Sequence, residues 1–345
     1  MSLPEPPLVT ILFPIRNEAR YIERALRAVL AQTYPSSKLE VIVVDGLSDD
    51  GTREIVQRSI AEALTIKVLV LDNPERIVST ALNRGIRAAR GQVLIRVDGH
   101  AVIAPDYVER CIAALNTVKA ECVGGVIQTV GETLVARAIA RAQSSPFGVG
   151  GARFRYSTRA GYVDTLAFGA YPRRVFERIG LFDEELVRNQ DDEFNLRLTR
   201  TGGKIWLDPE IRSTYYSRTT LPALWKQYFE YGFWKVRVIQ KHGRPASWRH
   251  LVPMLLVFAL LTAALVSLLT HAWIVFAAVG LGYLIATLVA AAWIAMRDGR
   301  YLLLLLPVTF TVMHLGYGVG FTTGIIHLLL HPLPSEDSKN PVPEL

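Results

Sequence analysis

Short apolar blocks separated by polar stretches run along the first hundred residues. Four of these blocks, at residues 9–13, 41–44, 68–71 and 93–97, have the length and the Val/Ile content of buried β-strands. Between them, apolar residues recur at helical spacing, which predicts helices over residues 19–32, 52–60 and 79–89. Strands that alternate with helices form parallel, doubly wound sheets. We therefore predict an α/β fold with a Rossmann-like, mostly parallel sheet.

The last third of the chain has a different pattern. Three long runs without Asp, Glu, Lys or Arg predict transmembrane helices at about residues 251–270, 272–296 and 301–330, because about 20 apolar helical residues cross a bilayer. The third run contains four glycines, which either allow close helix packing or let the segment bend and re-enter. The glycines are Gly316, Gly318, Gly320 and Gly324.

The distribution of basic residues predicts the orientation of these spans in the membrane. Five of them precede the first span, the loop at residues 270–271 has no Lys or Arg, and the next loop carries Arg297 and Arg300. Since cytoplasmic loops are rich in Lys and Arg, we predict a multi-pass protein of the cytoplasmic membrane with its N-terminal domain in the cytoplasm. The tail at residues 332–345 is then expected outside. The five residues are Lys235, Arg237, Lys241, Arg244 and Arg249.

A segment rich in aromatic and basic residues joins the two parts. Residues 224–235 mix aromatic rings with Lys226 and Lys235, a composition typical of helices at the lipid headgroups. We expect Trp225, Tyr228, Trp234 and Lys235 at this interface, although a core helix of the soluble domain fits the same pattern. The predicted organisation is a cytoplasmic domain (1–220), an interfacial segment (221–250) and three spans (251–331).

Composition excludes several classes of protein. Half of the residues are hydrophobic, the mean hydropathy is +0.25 and the formal net charge is +7. These values exclude a disordered chain, and two cysteines exclude a disulfide scaffold. No RNA motif or zinc-finger spacing accompanies the positive charge, so we expect anionic lipid rather than nucleic acid as its partner.

Residues that could bind a ligand or take part in catalysis follow the carboxyl ends of the predicted strands, where ligands bind in parallel sheets. Asp98 and His100 come directly after the fourth strand and can reach one divalent ion, which would neutralise a diphosphate leaving group. The alternative is that Asp98 only caps the following turn. Asp45 ends the second strand, where its carboxylate can accept hydrogen bonds from a nucleobase or a ribose. Asp49 and Asp50, which follow, are typical of helix N-caps.

Three consecutive carboxylates, Asp191, Asp192 and Glu193, begin a predicted helix further along the chain. They either complement the helix dipole or form a cluster in which neighbouring charges raise the pKa of one member. A carboxylate with a raised pKa beside a sugar hydroxyl can act as a general base.

Together these segments resemble the inverting glycosyltransferases of family 2, which have the GT-A fold. The resemblance spans about residues 9–198. The segments FPIRNEARYIERAL, VIVVDGLSDDGT and VLIRVDGHA carry the general match, whereas SSPFGVG and NQDDEFN favour a membrane-anchored branch similar to the succinoglycan glucosyltransferase ExoA.

The resemblance assigns roles to individual residues. Pro14, Asn17, Glu18 and Asp45 match positions that bind the donor nucleotide, and Asp98 matches the first Asp of the D-x-D motif. His100 replaces the second Asp of that motif, so the resemblance implies Mn²⁺ or Mg²⁺ without deciding between them. Asp191 matches the catalytic base, and the adjacent Asp192 competes for that role.

The resemblance implies transfer of a sugar, with inversion, from a nucleotide-sugar such as a UDP-hexose. The expected acceptor is a hydroxyl of a saccharide linked to polyprenyl pyrophosphate, as in the synthesis of exopolysaccharide or cell-envelope glycan. Two alternatives stay open: transfer directly to polyprenyl phosphate, and a non-catalytic membrane scaffold that keeps a nucleotide-sugar pocket. The Q-x-x-R-W motif of the family's processive synthases is absent after Gln227, which disfavours a polymerase.

Overall fold

The computed structural model describes residues 6–62 and 65–330. Its first part is a nine-stranded sheet with helices on both faces, and its second part is a group of three long helices. The strands are β1 Val9–Ile15, β2 Leu39–Asp45, β3 Lys67–Asp72, β4 Val93–Arg96, β5 Ala101–Ile103, β6 Cys122–Val130, β7 Gly161–Val163, β8 Ala170–Pro172 and β9 Ile205–Tyr216.

Nine helices accompany the sheet within the described residues. They are α1 Ile22–Leu30, α2 Thr52–Glu62, α3 Val78–Ala88, α4 Tyr107–Thr117, α5 Leu134–Gln143, α6 Pro146–Val149, α7 Arg173–Ile179, α8 Gln190–Arg200 and α9 Leu221–His242. Three longer helices follow: α10 Val252–Thr270, α11 Ile274–Asp298 and α12 Leu302–Leu330.

The sheet is parallel in its first half and mixed in its second. Its order is β3-β2-β1-β4-β8-β6-β9-β5, with β7 paired to β9. Strands β1 to β4 pair in parallel, as the sequence predicts, and their carboxyl ends meet at one edge. Strand β8 then runs antiparallel to both β4 and β6. Because Ala170 pairs with Ile95 and Pro172 with Val93, β8 leads the chain from the carboxyl end of β4 back toward its amino end. Helices α7 and α8 follow, and the first turn of α8 lines the cleft.

A cluster of aromatic rings fixes the start of α8. Phe194 lies with its ring centroid 4.6 Å from that of Phe182 and 5.0 Å from that of Phe176, and all three side chains are buried. Arg197, one helical turn later, donates hydrogen bonds to the carbonyl oxygens of Ile179 and Leu181. Because the helix is held on two sides, its first turn, which contains Asp191 and Asp192, has a defined position.

The three C-terminal helices have the length and the composition of membrane spans, which agrees with the sequence prediction. Helix α12 continues unbroken through its glycines, so within the described residues the third segment neither bends back nor re-enters. The tail predicted to lie outside, at residues 332–345, falls beyond the described residues.

Gly316, Gly320 and Gly324 of α12 form a close seam with α9, which we call the glycine seam, whereas Gly318 faces α10. A Cβ atom built on Gly320 would lie 2.1 Å from the carbonyl oxygen of Phe229, and one on Gly324 would lie 2.8 Å from that of Phe233. From the opposite side, a Cβ on Gly232 would lie 2.0 Å from the carbonyl oxygen of Tyr317. No side chain fits at these positions, so the absence of a Cβ is what allows the two backbones to touch.

The same seam corrects part of the expectation for the interfacial segment. Tyr228 and Lys235 are buried in protein, because this side of α9 packs against α12 and contacts α8 through Lys235 and Val238. Trp225 is 38% exposed and Trp234 is half-buried. Helix α9 therefore joins the sheet domain to the span helices instead of lying free on a membrane surface.

Candidate active site

A cleft of about 1060 Å³ opens at the carboxyl ends of the parallel strands. Side chains from the β1–α1 loop, from the segment after β4 and from the start of α8 all reach it. Of the residues predicted from the sequence, those lining the cleft are Pro14, Asn17, Glu18, Asp98, His100, Asp191, Asp192, Tyr228 and Lys235. Asp45, Trp225 and Trp234 do not line it.

The loop after β1 is fastened to the loop after β2. Asn17, with a φ of +54°, donates from its side-chain amide to Asp49 and accepts from the Asp49 backbone N–H. Its own backbone N–H donates to the Ser48 hydroxyl. Asn is one of the few residues that adopt positive φ readily, so this position suits a loop that must turn sharply at the strand end.

Asp45 lies behind this loop with one oxygen available. Its Oδ1 accepts hydrogen bonds from the backbone and the hydroxyl of Ser48, whereas Oδ2 is buried and has no hydrogen-bond partner among the described residues. The Nη1 atom of Arg53 is 3.6 Å from Oδ2. A buried acceptor without a donor is costly, and an incoming N–H or hydroxyl would satisfy it.

Asp50 has a structural role. It accepts hydrogen bonds from the backbone and the hydroxyl of Thr52 at the start of α2, and from the backbone N–H of Ala19. Asp50 therefore precedes the N-cap position, Gly51, and fastens the first residue of α2 to the loop after β1, whereas Asp49 pairs with Asn17.

Arg96 is the residue of the site that sequence reasoning missed. Its guanidinium binds Asp98 through two hydrogen bonds of 2.8 and 3.0 Å, and its Nη1 lies 3.9 Å from Oδ2 of Asp191. The side chain is 11% exposed, and Nη1 has no hydrogen-bond partner among the described residues. Arg96 therefore lies between the two carboxylates. An arginine within the otherwise apolar run at residues 93–97 was the signal that could have identified it.

Charges at this edge shift the pKa values of two predicted ligands. Burial raises the pKa of Asp98, but the paired Arg96 outweighs it and the pKa stays below its usual value. Burial lowers the pKa of His100, but Glu18, whose Oε1 lies 2.7 Å from Nδ1, raises it to about 9. In this arrangement Glu18 and His100 form an ion pair at neutral pH, and His100 would have to lose the proton on Nε2 before that nitrogen could bind a metal ion.

The donor set can be compared with the needs of a divalent ion. Asp98 and His100 both reach the cleft and offer a carboxylate and an imidazole, which are ordinary ligands for such ions. Both side chains are engaged by protein groups, and the described residues contain no cluster of three or more His, Cys, Asp or Glu that could hold a metal. Two protein ligands suffice where substrate phosphates complete the coordination shell, so the residues fit an ion that binds together with a diphosphate.

The three carboxylates of α8 differ sharply in their surroundings. Asp192 pairs with the buried Lys235, and Glu193 pairs with Arg197 and His242. The side chain of Asp191 is 35% exposed and faces the cleft. Burial raises the pKa of Asp192, but Lys235 more than compensates, so that the pKa falls below its usual value. The expectation that clustering raises the pKa values does not hold for Asp192, because a buried lysine neutralises it.

Comparison with known proteins finds a family model and several similar proteins. The family model described as "Glycosyl transferase family 2" matches residues 10–180. The succinoglycan biosynthesis protein ExoA of Rhizobium meliloti is 33% identical over 90% of this chain and 93% of its own length. A glucuronosyltransferase of Methanococcus voltae, whose name describes transfer to a dolichyl N-acetylglucosaminyl phosphate, is 28% identical over 92% of this chain and 97% of its own.

A solved structure has the same fold. The mannosyltransferase PcManGT of Pyrobaculum calidifontis, determined in complex with GDP-mannose and Mn²⁺, superposes with a TM-score of 0.64 at 20% identity. The match covers 95% of this chain and 88% of that one.

Proposed function

The chain belongs to glycosyltransferase family 2, and from this premise we propose that it is a membrane-bound inverting enzyme that uses a nucleotide-sugar, preferably a UDP-hexose. The proposed acceptor is a hydroxyl of a lipid-linked saccharide. The observation that carries the proposal is that Asp98 and Asp191 open onto one cleft, on either side of Arg96, with Asn17 and Glu18 at its rim. A donor site and a base on facing walls suit a single displacement.

Asp191 is the proposed catalytic base. The acceptor O–H bond breaks as its proton moves to the Asp191 carboxylate, and the oxygen bonds to the anomeric carbon. The bond between that carbon and the diphosphate oxygen breaks at the same time, which releases a nucleoside diphosphate. Asp192 is a weak competitor for this role, because its carboxylate is already paired with Lys235.

The donor is proposed to bind between the two loops at the strand ends. Asp45 lies behind the cleft and would accept from the base through Oδ2, which makes no hydrogen bond and has the Arg53 guanidinium at 3.6 Å; Pro14, Asn17 and Glu18 form the adjacent rim. Asp98 and His100 would hold a divalent ion against the diphosphate, where the ion supplies positive charge to the leaving group. Arg96 holds the Asp98 carboxylate in place and keeps it ionised.

Three candidate spans and the adjoining basic residues support a location at the cytoplasmic face of the inner membrane. A lipid-linked acceptor presents its hydroxyl there. The Methanococcus voltae relative, whose name describes a lipid-linked phosphosugar acceptor, supports the same class of acceptor for this chain. Exopolysaccharide or cell-envelope glycan synthesis is the pathway class that we propose.

Two other functions make different predictions. A transferase acting directly on polyprenyl phosphate has an acceptor that is already ionised and needs little help from a base. A non-catalytic scaffold would bind a nucleotide-sugar but release no nucleotide from it.

Asp191→Asn tests the assignment. The amide keeps the shape of the side chain and can still accept the hydrogen bond that the Asp192 backbone N–H donates to Oδ1. We expect kcat for transfer to a lipid-linked saccharide to fall by about 10²- to 10⁴-fold, with little change in the affinity for the donor.

Glu54→Gln, which neutralises an exposed carboxylate of α2, is the control and should leave kcat unchanged. A near-normal rate for Asp191→Asn on a lipid-linked saccharide would exclude Asp191 as the base. If wild type and variant transfer sugar equally well to bare polyprenyl phosphate and neither uses the saccharide, the first alternative is correct.

A further inference from the structure

The catalytic cleft does not end at the sheet domain. The same cavity continues between the three span helices, where Leu256 of α10, Ala286 of α11 and Met313 of α12 line it. A single continuous space therefore joins Asp98 and Asp191 to an apolar groove between helices that are long enough to cross a membrane.

Polar contacts hold the groove in register with the sheet domain. His314 of α12 lies 3.0 Å from the Tyr283 hydroxyl of α11 through Nδ1, and 3.0 Å from the carbonyl oxygen of Phe147 through Nε2. The carbonyl can only accept, so Nε2 donates to it. Phe147 belongs to the SSPFGVG segment, so this segment connects the groove to the cleft.

Unpaired cations surround the cleft side of the groove. Arg155, Arg218 and Lys226 line the cavity, and none forms a salt bridge to a carboxylate within residues 6–62 and 65–330. The Arg155 guanidinium lies over the Tyr215 ring at 5.2 Å and donates one hydrogen bond, to Thr129. By contrast, Arg188, Lys235 and Arg249 each pair with an acid.

Two neutral polar atoms at the junction also lack partners. Nδ1 of His250 and the hydroxyl of Tyr317 are buried, line this cavity at the entrance to the groove, and have no hydrogen-bond partner among the described residues. Buried polar groups are nearly always satisfied in folded proteins. Both groups lie near Asp192 and Arg249 in the cavity that Arg155, Arg218 and Lys226 also line, and a ligand with hydrogen-bonding oxygens in this cavity would satisfy them.

We propose that this junction binds the polyprenyl phosphate portion of the acceptor. The phosphate lies among Arg155, Arg218 and Lys226, and the hydrocarbon chain extends between α10, α11 and α12 past Leu256, Ala286 and Met313. Charge complementarity selects the headgroup, and the apolar groove selects the chain. This assignment rests on the proposed function in taking the lipid as the acceptor, but it concerns binding and needs no sugar transfer to be tested.

Binding of a radiolabelled polyprenyl phosphate to the full chain in nanodiscs, without donor, measures the site directly. The double variant Arg155→Gln/Arg218→Gln should weaken binding on the order of 10- to 100-fold, because two charge-assisted contacts are lost. Its affinity for the nucleotide should stay at the wild-type value. Uncharged polyprenol should bind weakly to both proteins.

Ala286→Phe tests the groove with a matched control. The added ring should fill the cavity and weaken binding of polyprenyl phosphate, whereas Ala278→Phe, at an exposed position of the same helix that does not line the cavity, should have no effect. Should the double variant fail to fold, Lys226→Gln, at an exposed position of α9, tests the headgroup contact alone.

Three results would overturn the inference. The cations would belong to the donor site if the double variant lost nucleotide affinity and kept lipid affinity. The groove would play no part in binding if the Ala286→Phe variant bound polyprenyl phosphate as tightly as wild type. The same conclusion would follow if inorganic phosphate displaced the radiolabelled lipid as effectively as unlabelled polyprenyl phosphate does. If polyprenyl phosphate binds as described but no saccharide attached to it is glycosylated, the inference stands and the proposed function fails.

Discussion

The buried ion pair between Lys235 and Asp192 allows a quantitative prediction. Lys235 is 4% exposed and the Asp192 side chain is 13% exposed, so the replacement Lys235→Met leaves a carboxylate in a nearly dry site. Breaking such a pair by removing one partner costs about 3–5 kcal/mol. Arg249 stays close enough to lower the pKa of Asp192, so we expect a loss near the lower end, about 3 kcal/mol in the free energy of unfolding.

Denaturant unfolding in detergent, followed by tryptophan fluorescence, measures this loss. The control is Arg27→Met, because the Arg27 and Glu23 side chains are 69% and 61% exposed and an exposed pair contributes about 0–1 kcal/mol. The double replacement Lys235→Met/Asp192→Leu should recover most of the stability, since it removes the stranded charge with its partner.

The pH dependence provides an independent check. In the wild type the pKa of Asp192 is lowered, so its contribution is present above the unfolded pKa of about 3.9 and is lost as the pH falls through the folded value. In Lys235→Met, burial raises the pKa of Asp192, and protonation then relieves the penalty. The variant should be closer to wild type at pH 4.5 than at pH 7.5. A loss below about 1 kcal/mol at pH 7.5, or a difference in stability that does not change with pH, would show that Lys235 does not stabilise a buried, ionised Asp192.

Three further predictions follow from the site and the glycine seam. Gly320→Ala should destabilise the protein by about 1–3 kcal/mol, because the new Cβ would lie 2.1 Å from the α9 backbone. Gly280→Ala is the control and should be neutral or stabilising, because nothing lies within 4 Å of its new Cβ. Measurements of the free energy of unfolding compare the two variants. The Glu18–His100 pair stabilises the folded protein fully below the unfolded histidine pKa of about 6.5, and this contribution is lost as the pH rises through the folded pKa of about 9. The difference in unfolding free energy between wild type and Glu18→Gln should therefore shrink from pH 7 to pH 10. An unchanged difference would contradict the pairing. Removal of divalent ions with a chelator should abolish the release of nucleoside diphosphate from the donor, and Mn²⁺ should restore this release better than Mg²⁺, since imidazole is a better ligand for Mn²⁺. Equal activity with and without the chelator would exclude a requirement for a divalent metal.

Strong local patterns made the first half of the fold predictable. Strands β1 to β4 are continuous apolar runs, and each predicted run lies within or overlaps its observed strand. The strands from β5 to β8 are mostly short, and their antiparallel pairings depend on partners far away in the sequence. Periodicity within a short window contains no information about such pairings.

The candidate site was predictable only in part, for a similar reason. Asp98 and His100 could be predicted as site residues because they follow a predicted strand, and the sheet topology places the carboxyl ends of the parallel strands together. The arginine in the apolar run at residues 93–97 marks Arg96 as unusual, but its partner Asp98 is known only from the structure. Likewise, no sequence pattern shows that Lys235, in a segment typical of membrane surfaces, lies against Asp192, 43 positions earlier. Partners of buried charges come from tertiary packing, and the same side chain can suit a lipid surface or a protein interior.

The glycine seam determines how the enzyme would meet a growing glycan. Because the backbones of α9 and α12 touch, the sheet domain is attached directly to the span helices and not through a flexible tether. An acceptor hydroxyl would reach Asp191 only when it lies at one particular distance from the membrane surface. Each residue added to the acceptor moves the next free hydroxyl further outward, so a rigidly mounted transferase is suited to adding one unit and then releasing its product to another enzyme.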